Sequence, residues 1–63
     1  MSMFRMEFST DNAAFGESAY ERRAETVRIL ESVATKILCL RTDGCILDCN
    51  GNVIGFWNFD EEE

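Results

Sequence analysis

Asn50-Gly51 constrains this chain more than any other dipeptide, because it sits between two β-prone runs, Cys45-Ile46-Leu47 and Val53-Ile54-Gly55-Phe56-Trp57. Asn-Gly is the pair that best tolerates the two positive φ angles of a type I′ turn, and that turn joins antiparallel strands through a two-residue loop. The expected register pairs Cys49 with Asn52, Asp48 with Val53, Leu47 with Ile54, Ile46 with Gly55 and Cys45 with Phe56. One hairpin face then carries Cys45, Leu47, Cys49, Ile54 and Phe56, and the other Ile46, Asp48, Val53, Trp57 and Phe59. Both faces are largely apolar. A chain of this kind must find a cover for each.

Upstream, Met3-Phe4-Arg5-Met6-Glu7-Phe8-Ser9 alternates with period two: Phe4, Met6 and Phe8 share one side, Arg5, Glu7 and Ser9 the other. That is the pattern of a half-buried strand. Thr10 to Glu17 breaks the alternation with Asp11, Asn12 and Gly16, so it reads as a loop holding one short helical turn, with Phe15 as a plug. Ser18-Ala19-Tyr20-Glu21 matches a capping box and opens a helix that runs without Pro or Gly to about Leu40. Tyr20, Ala24, Val27, Leu30, Ala34, Ile37 and Leu38 form the stripe expected to face the core, opposite Glu21, Glu25, Arg28, Ser32, Thr35 and Lys36. Ile29, Val33 and Leu40 widen the apolar sector beyond one packing stripe, which reads first as the edge of a wrap-around core, with a lean toward self-association as the alternative. Gly44 is expected to serve the helix stop or the turn behind it.

The fold class expected is α+β, in the order β-α-β-β: one helix packed on a three-stranded sheet, a single domain over 1–63 with 60–63 as a frayed acidic tail. The first strand can join the hairpin parallel or antiparallel, and either way a sheet edge stays open. At 63 residues a single core rarely supplies more than about 3–5 kcal/mol, so such domains lean on disulfides, a metal or a second subunit. The cysteines are Cys39, Cys45 and Cys49, an odd set. Cys45 and Cys49 stand about 13 Å apart along one strand at ~3.3 Å per residue, too far for a bridge. Histidine is absent, and with no Cys-x-x-Cys the ligands for zinc are missing. Neither a metal nor a cofactor is expected. Free thiols and the lack of a signal peptide point to the cytoplasm. Oligomerisation is the remaining staple, and a homodimer is expected.

A net charge of −6 argues against nucleic acid and against anionic membranes, and no apolar run nears the roughly 20 residues of a span. Catalysis lacks parts: there is no histidine base, and neither thiol has a base or an electropositive pocket visible in the sequence. Asp48-Cys49-Asn50-Gly51-Asn52 only begins like a calcium loop, and Phe59 stands where the bidentate glutamate belongs. The chain therefore reads as a non-enzymatic binding module. If the helix and the first strand cover the Cys45 face, then Ile46, Val53, Trp57 and Phe59 face water. Loop residues 10–17, with Phe15, are the alternative cover for this face, but eight residues would hide much less than the whole patch. That makes those four the candidate interface for another protein or, alternatively, for a second copy in a homo-oligomeric structural or regulatory module.

Thr10-Asp11-Asn12-Ala13-Ala14-Phe15, Arg28-Ile29-Leu30, Asp48-x-Asn50-Gly51-Asn52 and Gly55 resemble a group of short bacteriophage and prophage proteins. These are built on a TDNAAF segment, an RIL-containing helix and a closing D-x-NGN-x-x-G hairpin. The cysteines and the Phe-Trp-Asn-Phe ending depart from the group's usual form. The resemblance implies a phage-type accessory protein in the host cytoplasm, binding and disabling a host protein as anti-defence proteins do.

Overall fold

The computed structural model describes residues 2–61 of the 63. In chain order it contains β1 (Met3–Phe8), a 3₁₀ turn (Ala13–Phe15), α1 (Ala19–Leu38), β2 (Asp43–Leu47) and β3 (Val53–Asp60). This is the β-α-β-β order expected, with one helix on a three-stranded sheet. The long strand β3 lies in the middle, with order β1-β3-β2 and both pairings antiparallel. Asp60 belongs to β3, paired with Met3, so the strand runs one residue into the expected tail. Glu62 and Glu63, the end of the expected frayed tail, lie outside the described residues.

Local chemistry explains the boundaries. The Ser18 hydroxyl accepts from the Glu21 backbone N–H at 3.0 Å and donates to the Glu21 carboxylate at 3.3 Å, so Ser18 caps the helix and Glu21 reaches back to its hydroxyl in place of its backbone N–H. At the other end the helix stops on Leu40, which takes φ 66°. Leu40 N–H donates to the Ile37 carbonyl and Arg41 N–H to the Lys36 carbonyl, both at 3.0 Å. That pair of bonds is a Schellman motif, here made with a leucine where glycine is usual. Gly44 has a different task from the one expected. It sits inside β2 opposite Trp57, and a Cβ there would lie 2.9 Å from the indole nitrogen.

The hairpin differs from its expectation at the tip. Gly51 N–H donates to the Asp48 carbonyl at 3.1 Å and Asp48 N–H to the Asn52 carbonyl at 3.0 Å. Gly51 takes φ 86°, whereas Leu40 is the only non-glycine residue with positive φ among the described residues. Asn50 is thus not left-handed. The loop is the three-residue kind, a turn followed by a left-handed glycine, rather than a type I′ pair. Leu47 consequently pairs with Val53, and a bulge near Ile54 restores the expected Ile46–Gly55 and Cys45–Phe56 partners. The bulge exchanges the faces of two residues: Val53 joins Leu47 outside, and Ile54 packs toward the core.

The core lies on the face opposite to the one expected. Phe15, Ile29, Val33, Ile46 and Trp57 are buried, with Met6, Phe8, Ile37, Ile54 and Phe59 packed around them. Register explains the choice. β1 pairs Phe4 with Phe59 and Met6 with Trp57, so its apolar side falls on the Trp57 face. Phe4 meets Trp57 and Phe59 with ring centroids 6.3 and 5.8 Å apart. Phe15 plugs the end of this layer, stacked on Phe8 at 6.4 Å. Five aromatic rings on one side, Phe4, Phe8, Phe15, Trp57 and Phe59, outweigh a single Phe56 and two thiols on the other. The helix follows the same logic, turning Ile29, Val33 and Ile37 inward and leaving Tyr20, Val27, Leu30 and Leu38 exposed. Apart from Ile37, which packs inward as expected, the stripe expected to face the core is the outer one.

Candidate functional site

Of the four candidate interface residues, Ile46 and Trp57 are 3% and 1% exposed and Phe59 is half-buried against the core. Val53 alone faces solvent, at 67%. The patch Ile46, Val53, Trp57 and Phe59 is therefore not a contact surface. The loop, its plug Phe15 and the helix cover three of its members, because β1 delivers its apolar side to this face.

What stays open is the reverse side of the sheet. Cys45, Leu47, Val53 and Phe56 are all exposed there. The strand register sets their surroundings. Glu7 and Cys45 stand on either side of Phe56, Arg5 and Asp43 on either side of Asn58, and Met3 opposite Asp60. The result is a small apolar centre with Glu7, Asp43 and Asp60 around it and Arg5 among them. No sequence period could show this face, because it depends on which of two apolar sides the helix chose.

A second arrangement joins segments far apart in the chain. Asp48 is buried beneath the hairpin tip, and its carboxylate accepts four hydrogen bonds. Oδ1 takes the backbone N–H groups of Asn50 at 2.8 Å and Asn52 at 3.0 Å. Oδ2 takes the side-chain amides of Asn12 at 2.6 Å and Asn52 at 3.2 Å. The Asn52 backbone N–H, helped by the Asn52 side chain, Asn50 and Asn12, holds the Asp48 carboxyl below the usual aspartate range. Asn12 is itself a cap, accepting from Ala14 N–H at 3.1 Å. The Asn12–Asp48 bond thus ties the Thr10–Phe15 segment to the Asp48–Asn52 hairpin. Nearby, Arg28 donates to both oxygens of Glu25 at 2.7 and 2.8 Å. That pairing is the main reason the Glu25 carboxyl is also held low.

Chemically this cluster is spent on itself. Every strong acceptor of Asp48 is engaged by a local donor, and an anionic carboxylate so held is neither a proton shuttle nor a nucleophile. Beside it, an open cleft of about 340 Å³ runs between α1 and the edge strand β2, lined by Arg28, Ser32, Lys36, Cys45, Leu47 and Cys49 among others. Arg28, Ser32 and Lys36 form its helix wall, and Cys45, Leu47, Asp48 and Cys49 its strand and hairpin wall. Among the described residues no group of three or more His, Cys, Asp or Glu is placed to hold a metal ion, and no helix is long and apolar enough to cross a membrane.

Among the described residues one buried side-chain polar atom is left over. The Trp57 indole nitrogen is buried without a hydrogen-bond partner, pressed over Gly44 where a side chain would collide with it. Packing volume outweighs one unmade bond here: burying a tryptophan gains more than the roughly 1–3 kcal/mol that an unsatisfied donor costs.

No protein-family model, curated protein or solved structure matches the chain.

Proposed function

We propose that this chain is a non-catalytic accessory protein that acts by binding another protein through the open face of its sheet. The observation that carries the reading is the exposed cluster Cys45, Leu47, Val53 and Phe56, with Phe56 at 57% exposure in its centre. Large apolar side chains grouped on a sheet face, with Glu7 beside Phe56 and Asp43 and Asp60 toward one end, fit a partner presenting an apolar patch with Lys or Arg at its edge. The sequence resemblance to short phage and prophage proteins extends the proposal: the partner would be a host protein, met in the host cytoplasm and disabled by occupancy.

The test compares affinity capture by the full chain with capture by Phe56→Asp and by Arg22→Ala, an exposed helix residue outside the face, as a control. The expected result is a stoichiometric partner held by the wild type and the control but lost with Phe56→Asp. Amide-exchange protection in the complex should fall on β2 and β3. A partner set unchanged by Phe56→Asp, or protection confined to the helix, would overturn the reading.

A further inference from the structure

The helix carries a second, largely apolar stripe, with Arg23 and Glu31 inside its arc, that stays open among the described residues. Tyr20, Ala24, Val27, Leu30, Ala34 and Leu38 fall within an arc of roughly 120° on an α-helix of 3.6 residues per turn. Tyr20 and Leu38, at its ends, are 81% and 85% exposed. Only Ile29 and Val33 of the helix are buried. The stripe is about 27 Å long at 1.5 Å per residue.

We infer that this stripe seats a second copy of the chain, packed antiparallel across a two-fold axis near position 29. Two independent features point to a copy of itself. The first is area. The chain exposes 4790 Å², whereas a compact monomer of 7.2 kDa is expected to expose roughly 4,100 Å². The surplus of about 700 Å² belongs to an elongated molecule of 43 × 18 × 17 Å, and it is of the order of the roughly 800 Å² that each partner gives to a stable interface.

The second is symmetry in the sequence. A two-fold interface must match itself, so that residue i meets j wherever j meets i. Outward from position 29, the bulky Tyr20 and Leu38 stand nine residues to either side, and Ala24 and Ala34 stand five to either side. In the antiparallel pair, Tyr20 meets the partner's Leu38, and Ala24 lies level with the partner's Ala34. The alanines let the axes approach within the usual 8–10 Å of packed helices. Val27 and Leu30 fill the centre. Glu31 is the one carboxylate on this arc, and the axis brings it close to its own copy, where like charges repel. The open sheet face lies away from the stripe, so the dimer leaves it free. This inference therefore stands or falls apart from the proposed partner binding.

Sedimentation equilibrium of the full chain across the micromolar range tests it. The expected wild-type mass is twice 7.2 kDa. Val27→Asp, on the exposed arc, should raise the dissociation constant by at least roughly 30-fold with helix content retained. Glu31→Gln should tighten the dimer about two- to threefold, and Phe56→Asp should leave it unchanged. A photo-crosslinker at Tyr20 should label residues 35–40 of the other copy in an isotopically mixed sample. A wild-type monomer at all concentrations, a dimer indifferent to Val27→Asp, or a dimer broken by Phe56→Asp would each overturn the inference. Labelling of residues 18–24 would overturn the antiparallel arrangement.

Discussion

Two stripes on one helix meet opposite fates. Ile29, Val33 and Ile37 turn into the sheet, while Val27, Leu30 and Leu38 on the next face stay in water. By composition the outer stripe is the longer and the more regular. The inner stripe wins because it is narrow and mostly β-branched: three stiff side chains fill the shallow space above Trp57 and Ile46 with little rotamer freedom to lose. The broader stripe would overhang a sheet only three strands wide. Apolar periodicity finds the faces of a helix, and the shape of the opposing surface chooses between them.

The sharpest way to break that comparison is to place a carboxylate on each stripe. Val33→Asp buries an unpaired charge and should cost at least about 4 kcal/mol, comparable with the whole stability of a domain this small. Circular dichroism should find it unfolded at room temperature. Leu30→Asp should shift monomer stability by no more than about 0.5 kcal/mol, measured at concentrations too low for association. Equal losses from the two would mean that both stripes are core.

Truncation gives a milder version of the same contrast. Ile29→Ala should cost about 2–4 kcal/mol in urea denaturation, through lost burial and the cavity left behind. Leu30→Ala, one residue away, should cost within about 0.5 kcal/mol under the same dilute conditions.

Smaller again is the pH effect at the hairpin tip, which ties the plug loop to the core and so keeps the inner stripe covered. The Asp48 carboxyl is held below its ordinary value of 3.8, first by the Asn52 backbone N–H. A lowered folded-state pKa contributes stability in full above the unfolded value and loses it as pH falls through the folded one. The acid limb of the wild-type stability curve should therefore steepen below pH 3.8. Asp48→Asn, which cannot ionise, should be less stable at neutral pH and should show a flatter limb. A limb of unchanged slope would remove Asp48 from the linkage. The smallest effect, and of opposite sign, belongs to the helix end: Leu40→Gly should stabilise the chain by about 0.5–1 kcal/mol by relieving the left-handed leucine, read as a rise in the thermal midpoint.

The elements themselves were legible in the residues. Period two in Met3–Ser9, the Ser18–Glu21 cap and the turn residues around Asn50-Gly51 are local signals, and each names an element that the structure contains. The Phe15 plug was legible too, as a lone aromatic in a polar loop. The hairpin tip was half legible. Asp48 stands at the first position of a turn ending in Gly51, a favoured place for Asp and Gly in a type I turn, and that pattern competes with the Asn-Gly reading. One extra loop residue and one bulge then reversed Val53 and Ile54, since side-chain direction alternates at every residue.

The order β-α-β-β, the capped helix and the existence of a hairpin followed from the sequence alone, because each rests on interactions between residues a few positions apart. Tertiary structure decided the central place of β3, which sheet face and which helix stripe were buried, and which apolar residues were left in water. Those outcomes depend on matching whole surfaces in volume and register. Two apolar faces of similar hydropathy are indistinguishable until β1 pairs Met6 with Trp57 and the aromatic layer closes around it.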